Sequence, residues 1–144
     1  MMNKPVAIFT ARRGKRTALP LYISRIPAGF PSPADDYIDK NLDLNEYLIK
    51  HPAATFFVKV SGDSMIRAGI DTGDILIVDR AVEPVHNKIV VAVLDGEFTV
   101  KRFKIKGKRV FLVPENNEYP VIEIKEEMSF EVWGVVTNVI HPVG

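Results

Sequence analysis

Two side chains in this sequence have types and settings that could make a hydrolytic pair, Ser64 and Lys101. An alternating run from Phe56 to Val60 stops abruptly in Ser61-Gly62-Asp63-Ser64. Gly62 permits a backbone turn that other residues resist, and a serine just past a strand end is presented to a substrate by a rigid scaffold. Serine is also common in turns because its hydroxyl bonds nearby backbone, so a nucleophile here needs a base from elsewhere. Asp63 is adjacent but too acidic to deprotonate a hydroxyl well. His51, His86 and His141 lie far apart, and none shares a motif with Ser64.

The remaining candidate lies in Phe98-Thr99-Val100-Lys101-Arg102-Phe103-Lys104-Ile105. Strand alternation puts Thr99, Lys101, Phe103 and Ile105 on one face, and Val100, Arg102, Lys104 and Lys106 on the other. An exposed lysine titrates at about 10.4 and is no base at neutral pH. Apolar burial lowers that value, by up to roughly 3–5 units when burial is full. A neutral amine in reach of Ser64 could then take its proton, and backbone amides of the turn at Asp63 and Ser64 could hold the oxyanion. The plain alternative is a lysine that lays its stem on the sheet and keeps its head in water.

The elements that must position this pair are mostly strands. Strands are expected at Phe56–Val60, Ile75–Val78, Ile89–Leu94, Glu97–Ile105, Arg109–Val113, Val121–Ile124 and Phe130–Ile140. Asp95-Gly96 is a two-residue hairpin turn, Lys106-Gly107-Lys108 another tight reversal, and Gly69 to Asp74 a turn-rich connection. Two short helices are expected ahead of them. One starts at Ser32-Pro33; the other starts at Asp43-Leu44-Asn45-Glu46 in capping-box style and is stopped by Pro52. The fold class is therefore mainly β: a compact curved or barrel-like mixed sheet with short N-terminal helices.

A length of 144 residues suits one domain with a real core. Cysteine is absent, which removes disulfides and thiolate chemistry and fits a reducing, cytoplasmic setting. No apolar run approaches a membrane span, the N-terminus does not read as a secretory signal, and no HExxH or Cys/His spacing suggests a metal. No cofactor is implied.

The net charge of +1 hides an asymmetry. Residues 1–28 carry six basic side chains and no acidic one, leaving residues 29–144 with thirteen basic and eighteen acidic, a net of −5. The basic arm could touch nucleic acid, dock on the acidic body or remain solvated. Five prolines within residues 1–33 break any long helix there, although the apolar residues of that stretch could add short strands to something else. Near its end, Ala28-Gly29 is a small, flexible dipeptide between prolines, open to a protease cleft or an ordinary linker.

Three pieces in order, Ala28-Gly29, Ser61-Gly62-Asp63-Ser64-Met65 and Glu97-Phe98-Thr99-Val100-Lys101, resemble the self-cleaving Ser-Lys peptidases of the LexA/UmuD family. Gly69-Ile70, Gly73 to Asp79 and Leu112-Val113-Pro114-Glu115-Asn116-Asn117 resemble it too. The closer likeness is to UmuD, because only 28 residues precede Gly29 and they show no helix-turn-helix pattern. The resemblance implies Ser64 as nucleophile, Lys101 as general base and the amides of Asp63 and Ser64 as oxyanion donors. It implies a scissile bond at Ala28–Gly29, with residues 1–28 removed and 29–144 kept as the peptidase and dimerisation domain. It further implies self-cleavage stimulated by a RecA filament on single-stranded DNA, and a processed homodimer that joins a UmuC-like Y-family polymerase in error-prone translesion synthesis. Some UmuD-like proteins carry Cys where this chain has Ala28; both are small, so cleavage is expected with an altered rate.

Three other readings compete. A non-catalytic dimeric polymerase-binding module of the same fold would leave Ser64 and Lys101 unused. A DNA-binding repressor fragment is disfavoured by the acidic body, because phosphate binding needs clustered Lys and Arg; no sequence-specific DNA binding is expected. A protease acting on other proteins, like the signal peptidases, is disfavoured by the lack of a membrane anchor.

Overall fold

A computed structural model describes residues 4–10, 18–22 and 38–144. Ten strands and one short helix follow one another: β1 Lys4–Thr10, β2 Ala18–Tyr22, β3 Ile38–Asp43, α1 Leu44–Leu48, β4 Thr55–Ser61, β5 Ile75–Asp79, β6 Ile89–Leu94, β7 Glu97–Lys106, β8 Arg109–Val113, β9 Ile122–Glu123 and β10 Phe130–Ile140. Eight strands form one sheet in the order β1-β4-β5-β10-β6-β7-β8-β9, and β2 pairs with β3 in a separate ribbon. Every pairing among the described strands is antiparallel. The expected mixture of parallel and antiparallel pairs is therefore corrected: tight turns join β6 to β7 and β7 to β8, whereas a parallel pair needs a long crossover. The sheet curls far enough to bring β1 against β7, five places away in strand order, without closing into a barrel.

The two hairpin turns read from glycine are present. Asp95 and Gly96 both take positive φ, 49° and 83°, as a two-residue turn with the right twist requires. Gly107 takes φ 60° between β7 and β8. The central strands are buried on both sides, which explains why β6 reads Ile-Val-Val-Ala-Val-Leu without polar alternation. Val58, Val60, Met65, Ile70, Leu76, Val78, Val91 and Val100 form one core. Val90, Ala92, Leu94, Phe103, Leu112 and Val135 form the second, on the other face of the same strands. Each such side chain contributes roughly 1.5–3 kcal/mol relative to an exposed position.

Helix α1 begins where expected. The Asp43 carboxylate accepts from the amides of Asn45 and Glu46, satisfying two of the orphan donors of a helix start. Leu44 and Tyr47 point outward, each more than half exposed, and the helix is over before Pro52 opens a 3-10 turn through Ala54. The helix expected from Ser32 lies outside the described residues, as do Ala28 and Gly29. The arm does supply strands: β1 lies along β4, and β2 along β3. Expected strand ends agree with the structure to within a residue or two; Val121–Ile124 is reduced to Ile122–Glu123.

Candidate active site

The turn that carries Ser64 is an extension of β4. At Gly62 the backbone enters the left-handed region, φ 94°, which reverses the chain without the cost a Cβ would impose. The Gly62 amide donates to Thr72 Oγ1 at 3.2 Å; across the same gap the Val60 amide donates to the Asp74 carbonyl at 2.9 Å and the Val60 carbonyl accepts from the Gly73 amide at 2.7 Å. The connection from Gly69 to Asp74 therefore clamps the end of β4. Beyond it, the Asp63 carbonyl accepts from Asn116 Nδ2 at 3.0 Å, and the Asp63 carboxylate accepts from the Tyr119 hydroxyl. The Ser64 carbonyl accepts from the Glu115 amide at 2.8 Å, and the Glu115 carbonyl in turn accepts from the Arg67 amide at 2.9 Å. Each bond fixes the backbone of the turn and leaves the Ser64 hydroxyl free to point inward. Ser64 and Met65 are fully buried.

Lys101 reaches that hydroxyl from β7. Its Nζ lies 3.0 Å from Ser64 Oγ, 2.9 Å from Thr99 Oγ1 and 3.1 Å from the Val100 carbonyl oxygen. The residue is 1% exposed, so the snorkelling alternative does not describe it. Burial without a carboxylate partner lowers its pKa from 10.5 to about 8. The three contacts suit both protonation states. An ammonium donates to all three oxygens; a neutral amine donates to Thr99 and Val100 and turns its lone pair to the Ser64 hydroxyl.

Thr99 was not singled out as a site residue. The signal was nonetheless in the sequence, because residues two apart on a strand share a face. Glu115 and Asn116 were legible only as part of a family-like stretch, and Tyr119 lies beyond it; that the three brace Asp63 and Ser64 is a tertiary fact. Glu115 is itself held by the Arg102 guanidinium, on the opposite face of β7 from Lys101. The histidines lie away from Ser64: His51 pairs with Asp79 at 2.6 Å, His86 Nδ1 accepts from the Ile105 amide at 2.9 Å, and His141 pairs with Asp74 at 2.7 Å. Asp71, Asp74 and His141 come close enough to share a metal ion, but both oxygens of the buried Asp74 are engaged, by His141 and by the Asp71 amide.

The β scaffold places a buried serine against a buried lysine that has no carboxylate partner among the described residues, an amine where serine hydrolases commonly use imidazole. Comparison with known proteins gives the family. The Peptidase S24-like profile matches residues 20–137. The chain is 46% identical over 142 residues to Protein MucA of Escherichia coli, covering 96% of this chain and 97% of that one. It is 49% identical over 126 residues to Protein SamA of Salmonella typhimurium strain LT2, covering 88% and 87%. It is 50% identical over 122 residues to Protein ImpA of Shigella flexneri, covering 85% and 83%. The chain belongs to the S24-like peptidase family, as a UmuD-like member.

Proposed function

We propose that the protein is an SOS-mutagenesis autopeptidase that cuts its own Ala28–Gly29 bond with Ser64 as nucleophile and Lys101 as general base. The observation that carries the reading is the 3.0 Å contact between Lys101 Nζ and Ser64 Oγ in a site closed to solvent. Neutral Lys101 takes the Ser64 proton as Oγ attacks the Ala28 carbonyl carbon. The amides of Asp63 and Ser64, which meet no acceptor among the described residues, would receive the developing oxyanion. The ammonium then returns its proton to the Gly29 nitrogen as the peptide bond breaks, and water releases the acyl group from Ser64 in a second round of the same transfers. Thr99 and the Val100 carbonyl hold the amine on line throughout. Membership of the family supports the peptidase class, and the UmuD-like relatives support a role in mutagenic DNA-damage tolerance. We extend the reading to stimulation by a RecA filament on single-stranded DNA, to a processed homodimer of residues 29–144, and to a Y-family polymerase as partner in the cytoplasm. Among the described residues no helix is long and apolar enough to cross a membrane.

The test is self-cleavage of purified protein against pH, followed by intact mass, alone and with a RecA–single-stranded DNA–ATP filament. The rate should rise about tenfold per pH unit below the Lys101 pKa and level off near pH 8. One cut at Ala28–Gly29, lost in Ser64→Ala and Lys101→Met, is the expected result. An uncut chain at every pH, filament included, would instead support the non-catalytic binding module.

A further inference from the structure

The strands described above bear on what a cut can release. The proposed scissile bond lies between β2 and β3, which are paired to each other from Ala18↔Asp43 to Tyr22↔Ile38. The arm that such a cut would detach, residues 1–28, contains both β1 and β2, and each is bonded to a strand of the part that remains. β1 lies along β4 from Lys4↔Ser61 to Thr10↔Phe56, with one register shift between Pro5 and Ala7. Cleavage thus opens a connection whose two ends are held together, and it breaks no strand pairing.

We propose that the outer edge of β4 is a strand-addition site whose ligand is the chain's own Lys4–Thr10 segment. It follows that the severed arm stays bound as a peptide, and that its later departure, not the cut, uncovers β4. This rests on the Ala28–Gly29 cut proposed above. Once β1 leaves, β4 is an edge strand with a free row of N–H and C=O groups, the surface to which an extended segment of another protein adds. That edge leads directly through Gly62 into the nucleophile turn.

Backbone alternation makes the proposal specific at single residues. The Val60 amide donates to Asp74, on the β5 side, so the amides of Val58 and Val60 face β5 while those of Phe57 and Lys59 face β1. Phe57 is opposite Phe9, and Lys59 is opposite Ala7.

The experiment nicks the chain independently of its own chemistry. A recognition site for a sequence-specific protease is inserted between Ala28 and Gly29 of the Ser64→Ala variant, and amide exchange is followed by NMR before and after the nick. The fragment should co-elute with the body, and Phe57 and Lys59 should stay protected. Ala7→Pro, which removes the N–H facing Lys59, should release the fragment on nicking and speed exchange at Phe57 and Lys59 at least tenfold, leaving Val58 and Val60 unchanged. Adding synthetic peptide 1–28 to the nicked, arm-depleted protein should restore protection at the same two amides. Immediate loss of the fragment, equal exchange at all four amides in the uncut chain, or protection that requires a second copy's arm would overturn the proposal. A chain that fails to cut itself yet keeps its fragment in this experiment would overturn only the peptidase reading.

Discussion

Lys101 has no carboxylate partner among the described residues. Its partners are two hydroxyls and a carbonyl, and desolvation lowers its pKa from 10.5 to about 8. Between those values the unfolded chain binds the proton that the folded chain has shed, so stability rises with pH across that window. Below about pH 8 both states are protonated and the full penalty applies, roughly 3 kcal/mol for the shift. Lys101→Met has no such term. Its stability relative to wild type should therefore fall by up to that amount from pH 8 to pH 10.5, measured by urea unfolding at several pH values; a difference independent of pH would refute an ammonium-disfavouring site. Thr99→Val keeps shape but removes an acceptor of the lysine N–H. It should slow self-cleavage by roughly 10²-fold and lower the pH midpoint of the rate, because the lost bond favours the ammonium; an unmoved midpoint would reduce Thr99 to a packing residue. The Ser64 and Lys101 types and their strand context were readable in the sequence. Their meeting at 3.0 Å was not, since they lie 37 positions apart in the chain with two whole strands, β5 and β6, between them.

At the scale of elements, the strands from β4 onward were readable because glycine turns punctuate them and β-branched residues fill them. β1 was legible only as an apolar stretch that might pair: Val6 to Phe9 show no alternation, Pro5 argues against a strand, and the partner, β4, lies some fifty residues away. The hairpin turns make β6–β7 and β7–β8 readable as antiparallel pairs, whereas the place of β10 between β5 and β6 depends on contacts no local pattern encodes. One glycine has an importance that its sequence setting does not reveal. Gly134 sits at a register shift in β10, where a Cβ would meet Val78 Cγ1 at 2.6 Å and Arg80 Cγ at 3.3 Å. Val78 is fully buried in the core that also holds Met65, next to Ser64, and cannot yield. Gly134→Ala should destabilise the fold by about 1–3 kcal/mol, read from the denaturation midpoint. An unchanged midpoint would show that β5 and β10 are able to part at that point.

For the molecule as a whole, the charge asymmetry gives removal of the arm an electrostatic consequence. Residues 29–144 carry −5 while the arm carries six cations. The arm-free form should bind a basic partner surface more tightly than the uncut form at low salt, with the advantage shrinking as salt rises. Equal affinity of the two forms for the proposed polymerase partner at both ionic strengths would count against this. The strand pairing of the arm adds a question of timing. In the uncut chain, β1 faces β4 at an effective concentration on the order of millimolar. After the proposed cut, that tether would become an ordinary association between a peptide and a protein. Hydrolysis cannot be undone, but departure answers to mass action. A crowded population of nicked molecules would keep its edges covered, recapturing arms as fast as they leave. A sparse one would shed them, so dilution would set the delay between the proposed cut and the uncovering of β4.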